Sequence, residues 1–233
     1  MSKKWLVAAG VAFIAFMAWG GSLPAAEQYE SSITKGNTLL RKQMYQEALD
    51  AYEGAIQLKP DAFEAWYNKA VILDYLGKHA DAIASFEKAI QCKPGHYEAW
   101  YMKGMVLDHA GRYDEAVKAF DKALEIKPDY VKALHNKGNV LDHTGNVEAA
   151  VETYDRILAI QPDAFEVWNN KGLTLAKLPE RREEALAAYN KAIAINPAYY
   201  EAGVNKGNCF VRLRKYKEAL DACDTAIEIK PAE

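Results

Sequence analysis

The sequence predicts an all-α fold: an α-solenoid of six stacked helix-turn-helix hairpins, preceded by an N-terminal hydrophobic helix. Three observations predict it. Prolines recur at a fixed interval, apolar residues follow helical spacing between them, and small residues take matching places in each interval. A period of this length is typical of repeat architectures, in which each unit packs against its neighbours in sequence.

Proline marks the end of each interval. The spacing is 34 residues at every step but one, which has 35, and the positions are Pro60, Pro94, Pro128, Pro162, Pro197 and Pro231. Because proline cannot continue a helix, each one ends the second helix of a hairpin. The predicted repeats are therefore residues 27–60, 61–94, 95–128, 129–162, 163–197 and 198–231. The extra residue of the fifth repeat falls in "KLPERREEA" and predicts a longer turn between its two helices.

The third repeat illustrates the hairpin. Gly111 is suited to close its first helix, and Asp114 is suited to begin the second. A small residue recurs once in each helix, so that the two helices can approach closely. In the first helix this position is Gly36, Ala70, Gly104, Gly138, Gly172 and Gly207. In the second it is Ala48, Ala82, Ala116, Ala150, Ala185 and Ala219.

This pattern resembles the tetratricopeptide repeat family. The family's motif residues correspond to Trp100, Gly104, Leu107, Ala116, Phe120 and Pro128. The resemblance implies a right-handed superhelix whose first helices line a concave groove. Where the family has a leucine before the glycine, this chain has lysine in every repeat, and we expect the lysine stem to pack at the rim with its ammonium in water.

The N-terminus is predicted to direct the chain out of the cytoplasm. Lys3 and Lys4 precede an apolar run from Trp5 to Trp19, and the next charge is Glu27. Residues 1–26 therefore fit either a cleaved signal peptide or an uncleaved membrane anchor. Both interpretations place the repeats outside the cytoplasm, either exported to a periplasmic or extracellular space or anchored at the membrane.

The composition argues against several classes of function. A formal net charge of -3 gives no basic field for nucleic acid. The three cysteines have no zinc-type spacing. His135, Asp142 and His143 share one helical face and are plausible ligand types, but no dedicated spacing indicates a metal site. Neither a metal nor a cofactor is predicted. Asp108-His109 and Asp142-His143 resemble catalytic pairs, but adjacent helical residues diverge by about 100°. No nucleophile accompanies them, and the chain is predicted not to be an enzyme.

The first-helix positions that face away from the core predict a binding surface. Acids there alternate with aromatic and histidine side chains, which are suited to a protein or peptide partner that is rich in Lys or Arg. The predicted groove residues are Glu64, Tyr67, Asp74, Tyr75, Glu98, Tyr101, Asp108, His109, His135, Asn139, Asp142 and His143. Repeats that arose by duplication would carry the same residue types at equivalent positions even if this face were only solvated and bound nothing. That alternative stays open.

The predicted function is a non-catalytic scaffold that supports the assembly of a complex. The Lys/Asn clamp by which some family members hold a C-terminal carboxylate is disfavoured, because Glu201 and His135 stand where it needs lysines. Two alternatives remain. The chain is a homo-oligomeric scaffold joined through an uncapped C-terminal repeat, or it is an accessory subunit of an enzyme complex.

Overall fold

A computed structural model describes residues 23–229, and within that range all regular structure is helical. The described residues divide into two compact units, one ending at Pro94 and the other beginning at Gly95. The predicted N-terminal hydrophobic helix falls outside the described residues, apart from its last few positions. In the described part of the chain, no helix is both long enough and apolar enough to cross a membrane.

The first unit contains two hairpins. Their helices are α1 (Ala25–Arg41), α2 (Tyr45–Leu58), α3 (Phe63–Tyr75) and α4 (His79–Cys92). Helix α1 packs on α2, α3 packs on α4, and α2 also packs on α3. The second helix of one repeat therefore lies between its own first helix and that of the next, as stacked hairpins require.

The second unit contains four hairpins. Their helices are α5 (Tyr97–His109), α6 (Tyr113–Ile126), α7 (Val131–His143), α8 (Val147–Ile160), α9 (Phe165–Leu175), α10 (Arg182–Ile195), α11 (Tyr200–Arg212) and α12 (Tyr216–Ile229). Each hairpin packs internally, and α6, α8 and α10 also pack on the first helix that follows. The fifth repeat has a longer turn, as predicted, and it contains a short 3-10 helix, Pro179–Arg181.

The turn inside a hairpin needs a residue with left-handed backbone geometry. Gly77, Gly111 and Gly145 supply it with φ between 72° and 79°. The amide of this glycine and the amide of the next residue cap the first helix, as in the bonds from Gly77 N to Asp74 O and from Lys78 N to Leu73 O. The first and sixth repeats place Gln43 and Arg214 at this point, with φ of 60° and 61°. A side chain is strained in this conformation, so these two turns cost stability.

The predicted close approach of the two helices is confirmed. A Cβ atom added to Gly104, Gly138 or Gly172 would lie 2.6–2.7 Å from an aromatic ring of the second helix. The rings belong to Phe120, Tyr154 and Tyr189, all at most 1% exposed. The missing side chain of the first helix is therefore the space that the aromatic ring of the second helix fills.

The recurring lysine has a more specific role than a solvated rim residue. Lys137 Nζ lies 2.6 Å from Asp121 Oδ1, and Lys69 Nζ lies 2.8 Å from Glu53 Oε1. Lys171 pairs with Asp155 in the same way. In each pair the acid is on a second helix and the lysine is on the first helix of the next repeat. These ion pairs therefore join successive repeats within a unit, which corrects the expectation that the ammonium groups are only hydrated.

Candidate functional site

In the first unit, the four predicted groove residues lie on α3. Glu64 is exposed and accepts a bond from Asn37 Nδ2 at 2.9 Å. The Tyr67 ring is half-buried and meets the Phe86 ring edge-on at 5.5 Å. Tyr67 is thus fixed by packing, whereas Glu64 is held from α1 by a surface contact.

The other two residues of this group lie at the end of α3. The Asp74 carboxylate is only 16% exposed and lies 3.0 Å from His79 Nδ1. Tyr75 is 69% exposed, and its ring centroid lies 4.6 Å from that of Tyr45. A hydrogen bond to Tyr75, the largest cause, raises the pKa of Tyr45. Asp74 is therefore a half-buried partner of a histidine and not the freely exposed acid that was expected.

In the second unit, α5 carries Glu98, Tyr101, Asp108 and His109. Glu98 accepts a bond from Tyr97 Oη at 3.1 Å and is half-exposed. Tyr101 is half-buried, and its hydroxyl accepts a bond from Asn136 Nδ2 of α7 at 3.0 Å. Burial, the largest cause, raises the pKa of Tyr101. Asp108 is half-buried and His109 is exposed at the end of the helix.

Helix α7 carries His135, Asn139, Asp142 and His143. Asn139 is exposed, and its Nδ2 lies 3.2 Å from His135 Nδ1. The Asn139 Oδ1 atom accepts a bond from the buried Tyr154 hydroxyl at 3.0 Å. The same bond occurs in the first unit between Tyr52 and Asn37, at 2.6 Å. In both repeats a second-helix tyrosine therefore orients a surface amide on the first helix.

The Asp142-His143 pair is not a proton relay. The Asp142 carboxylate accepts a bond from Thr174 Oγ1 at 2.6 Å and lies 2.8 Å from Lys177 Nζ. The His143 ring instead contacts the Tyr113 ring, with centroids 4.9 Å apart. The two side chains therefore diverge, as their adjacency on a helix predicted, and Asp142 joins α7 to the following repeat.

Two open depressions adjoin Asp142 in the second unit. One, of about 400 Å³, lies between α7 and α9 and is lined by Asn139, Asp142, His143, Tyr154, Asn170, Leu173 and Lys177. The other, of about 370 Å³, lies towards α11 and is lined by Asp142, Leu173, Ala176, Lys177, Tyr189, Asn205, Asn208, Cys209 and Arg212. Both are rich in amide and charged groups.

Sequence reasoning missed the groups that neutralise the predicted acids. Lys177 occupies the position in its repeat that His109 and His143 occupy in theirs. Its ammonium group forms an ion pair with Asp142 of the preceding repeat. Asn136 stands beside the Tyr101 column and bonds Tyr101 across repeats. The signal available was the 34-residue period, because a residue one repeat later is a spatial neighbour. Among residues 23–229, no three His, Cys, Asp or Glu side chains cluster in a way that could hold a metal.

Several solved structures share this fold. A MamA structure, residues 41 to the end from Desulfovibrio magneticus RS-1, has a TM-score of 0.65 and 23% identity, covering 72% of this chain and 94% of that one. YrrB, described as a TPR protein with an unusual peptide-binding site, has a TM-score of 0.65 and 24% identity, covering 79% and 95%. At these identities the likeness concerns the fold.

No curated protein matches the sequence closely enough to count as a relative. Two sequence models of the tetratricopeptide repeat do match it. One covers residues 33–96, 73–131 and 180–233, and the other covers residues 109–171. Together with the hairpin geometry and the solved structures of the same fold, these matches show that the chain belongs to the tetratricopeptide repeat family.

Proposed function

We propose that this protein is a non-catalytic scaffold that binds a protein or peptide partner on the first-helix face of its repeats and so supports the assembly of a complex. The second unit offers the most detailed surface for it. There α7, α8 and α9 line a depression of about 400 Å³ in which the Tyr154 ring, the Asn139 and Asn170 amides and the Asp142 carboxylate adjoin. That juxtaposition of fixed aromatic and polar groups is the observation that carries the proposal.

The charge of the partner follows from the acids that the protein leaves open. Among the described residues, the Asp108 carboxylate has no hydrogen bond or ion pair, whereas that of Asp142 is neutralised by Lys177. Glu98, on the same helix as Asp108, lies 3.4 Å from His96 Nε2 and accepts a bond from Tyr97, but its side chain is still 46% exposed. A lysine or arginine of the partner therefore fits best against α5, where Tyr101 provides an adjoining apolar surface. The acidic contact is centred on Asp108 and Glu98 and not on the whole predicted column.

Two further considerations support the proposal. YrrB, which has the same fold, is described as having a peptide-binding site. Exposed polar and aromatic groups on a rigid helical scaffold are also the usual material of recognition surfaces. We further propose that residues 1–26 export the repeats or anchor them at the membrane, since the basic and apolar pattern of that segment fits both roles.

Site-specific photocrosslinking tests the proposal. A photoreactive residue is placed at Asn139 on the first-helix face or, as a matched control, at the exposed Glu152 on the second helix of the same repeat. In cells of origin, the proposal expects a discrete adduct from position 139 that weakens when Asp108 is changed to Lys. Adducts of equal yield from both positions, or indifference to the charge at 108, would refute it.

Self-association is a second candidate, because one apolar stripe remains exposed. On α12, Leu220 and Ile227 are 62% and 58% exposed, whereas Leu186 and Leu158 at the equivalent positions of earlier repeats are 6% and 7% exposed. In those repeats the next hairpin covers the stripe. The outer face of α1 is lined by Ser31, Thr34 and Thr38 among others. A head-to-tail stack would place the apolar stripe of α12 on this polar face of α1 and is therefore disfavoured. In a two-fold dimer, the α12 helices of the two copies would contact each other.

Light scattering over a concentration series distinguishes this candidate. A dimer that becomes monomeric on the double substitution Leu220→Glu and Ile227→Glu would support it, because charge on both faces of a two-fold contact repels. A monomer at all concentrations would reject it. The double variant is expected to retain helical content by circular dichroism, since both side chains are mostly exposed.

A further inference from the structure

In the last hairpin, a glycine occupies the position at which three other repeats have a tryptophan. Trp66, Trp100 and Trp168 each follow the proline of the preceding repeat by six residues, and Gly203 follows Pro197 by the same distance. A cavity of about 90 Å³ lies beside this glycine, and it is lined by Ile193, Tyr199, Gly203, Lys206, Ala222, Thr225 and Ala226. Because a single water needs about 10–15 Å³, the cavity has room for a side chain.

The tryptophans of two other repeats donate a hydrogen bond to the carbonyl of that preceding proline. Trp66 Nε1 donates to Pro60 O at 2.9 Å, and Trp168 Nε1 donates to Pro162 O at 3.0 Å. The indole therefore lies with its ring against its own hairpin and its N–H directed at the loop before it. The proline carbonyl fixes the orientation of the ring.

This proline carbonyl accepts a side-chain donor even in a repeat that has no tryptophan. In the fourth repeat Leu134 replaces the tryptophan, and Arg156 Nη2 donates to Pro128 O at 3.3 Å. In the sixth repeat, Pro197 O accepts no hydrogen bond from the residues that the structure describes. An acceptor is thus left open at the point where an indole N–H arrives in other repeats.

The lysine that covers the indole in other repeats is also present in the last hairpin. In the fifth repeat, Lys171 Nζ lies 5.4 Å from the centroid of the Trp168 ring and pairs with an acid sixteen residues earlier. Asn190 occupies that place relative to Lys206. Within residues 23–229, Lys206 consequently has no carboxylate partner, and its ammonium lies 5.9 Å from the Phe210 ring. Its charge is available to a ring that enters the cavity.

We propose that this cavity receives the tryptophan side chain of a partner protein. The apolar walls would bury the indole, Pro197 O would accept its N–H, and the Lys206 ammonium would lie over its face. This arrangement complements an indole in charge as well as in shape, because the ring face is negative and the N–H is positive. A leucine or phenylalanine side chain has no N–H for the carbonyl.

The site is separate from the first-helix face on which the proposed function rests. Ile193 belongs to α10, and Ala222, Thr225 and Ala226 belong to α12, so the walls come from second helices. The inference therefore adds a second contact point for a protein partner, and it stands whether or not a segment binds the first-helix face.

A nuclear magnetic resonance titration of the full chain with short peptides tests the inference. The probes are acetyl-Ala-Trp-Ala-amide, the same peptide with 1-methyltryptophan, which lacks the N–H, and the control acetyl-Ala-Leu-Ala-amide. The readout is the shift of the Gly203 and Thr225 backbone amides. We expect the tryptophan peptide to bind with a Kd on the order of 1 mM. The methylated peptide should bind about fivefold more weakly, and the leucine peptide should leave both signals in place.

Four variants sharpen the test, and circular dichroism checks that each is folded. Gly203→Trp should abolish binding, because the protein's own indole then fills the cavity. A Cβ at Gly203 would lie 3.1 Å from Ala226 Cβ, so α12 must shift slightly to admit it. Ala222→Leu narrows the cavity from α12 instead and should also prevent binding. Lys206→Met should weaken binding about threefold. Lys171→Met, the matched control at a position that is already filled, should leave it unchanged.

Several results would overturn the inference. They are equal shifts with the leucine peptide, no binding at about 20 mM, or undiminished binding by both Gly203→Trp and Ala222→Leu. Full binding of the methylated peptide together with full binding by Lys206→Met would also overturn it, because neither polar contact would then act. If the two amides shift with protein concentration alone, and a Trp5→Leu, Trp19→Leu variant abolishes that shift, the occupant is a second copy and the assignment to a partner is wrong.

Discussion

Replacing Gly138 with alanine tests how closely the hairpin helices approach. The new Cβ would lie 2.7 Å from Cε1 of Tyr154, where an unstrained contact is about 3.5–4.0 Å. Tyr154 is 1% exposed and its hydroxyl is bonded to Asn139, so the ring has little room to move. Overpacking of this kind costs about 1–3 kcal/mol, and the better helix propensity of alanine offsets up to about 1 kcal/mol. We expect the free energy of unfolding to fall by about 1–2 kcal/mol.

The matched control is Gly54→Ala, also within a helix. A Cβ at Gly54 meets nothing nearer than Ser32 Oγ at 3.9 Å. Propensity alone then acts, and this variant should gain about 0.5–1 kcal/mol. Urea unfolding followed by circular dichroism measures both. If Gly138→Ala were stabilised as much as Gly54→Ala, the inferred contact between glycine and ring would be wrong. The second repeat has Ala70 at the equivalent position, so we expect strain rather than failure to fold.

Three further predictions follow from single contacts. Gln43→Gly removes the strain of a side chain at a left-handed position, where φ is 60°. In urea titrations this variant should raise the free energy of unfolding by about 0.5–1 kcal/mol. A lower free energy of unfolding would contradict the assigned turn. Asp142→Asn keeps an acceptor for Thr174 but breaks the ion pair with Lys177, so it should cost at most about 1 kcal/mol and lose this effect in high salt. Burial raises the pKa of Tyr52 to about 12, so the folded state favours the neutral phenol. The stability that this provides is present below pH 10 and falls as the pH rises from 10 towards 12, and Tyr52→Phe should flatten that part of a melting-temperature profile.

The helical hairpins follow from the sequence because their determinants are local and repeat. Proline, glycine and alanine recur at fixed places, and each acts on its own hairpin, as Gly138 and Tyr154 illustrate. The turns at Gln43 and Arg214 were less evident, since no residue type there signals a left-handed backbone. The order of the helices was therefore predictable, whereas the strain at the terminal repeats was not.

The binding surface was only partly predictable, because its charge depends on contacts between repeats. A helical projection places Asp108 and Asp142 in one column, but only the second meets a lysine from the next repeat. Likewise, Tyr189 occupies the same column as Tyr154, but Leu173 leaves it without the amide that Asn139 supplies. Such differences emerge only when residues one period apart are compared in space.

Selection of peptides from a random display library is the most direct test of the central claim, that the first-helix face of the second unit recognises a partner segment. The account predicts selected peptides that carry a lysine or arginine and that lose binding to a Tyr101→Ala, Asp108→Lys variant. The same peptides should still bind a control variant of the protein that is substituted instead at Lys122 and Glu152, on the second helices α6 and α8. Peptides without that charge pattern, or peptides that bind the first-helix variant as well as the unaltered protein, would contradict it.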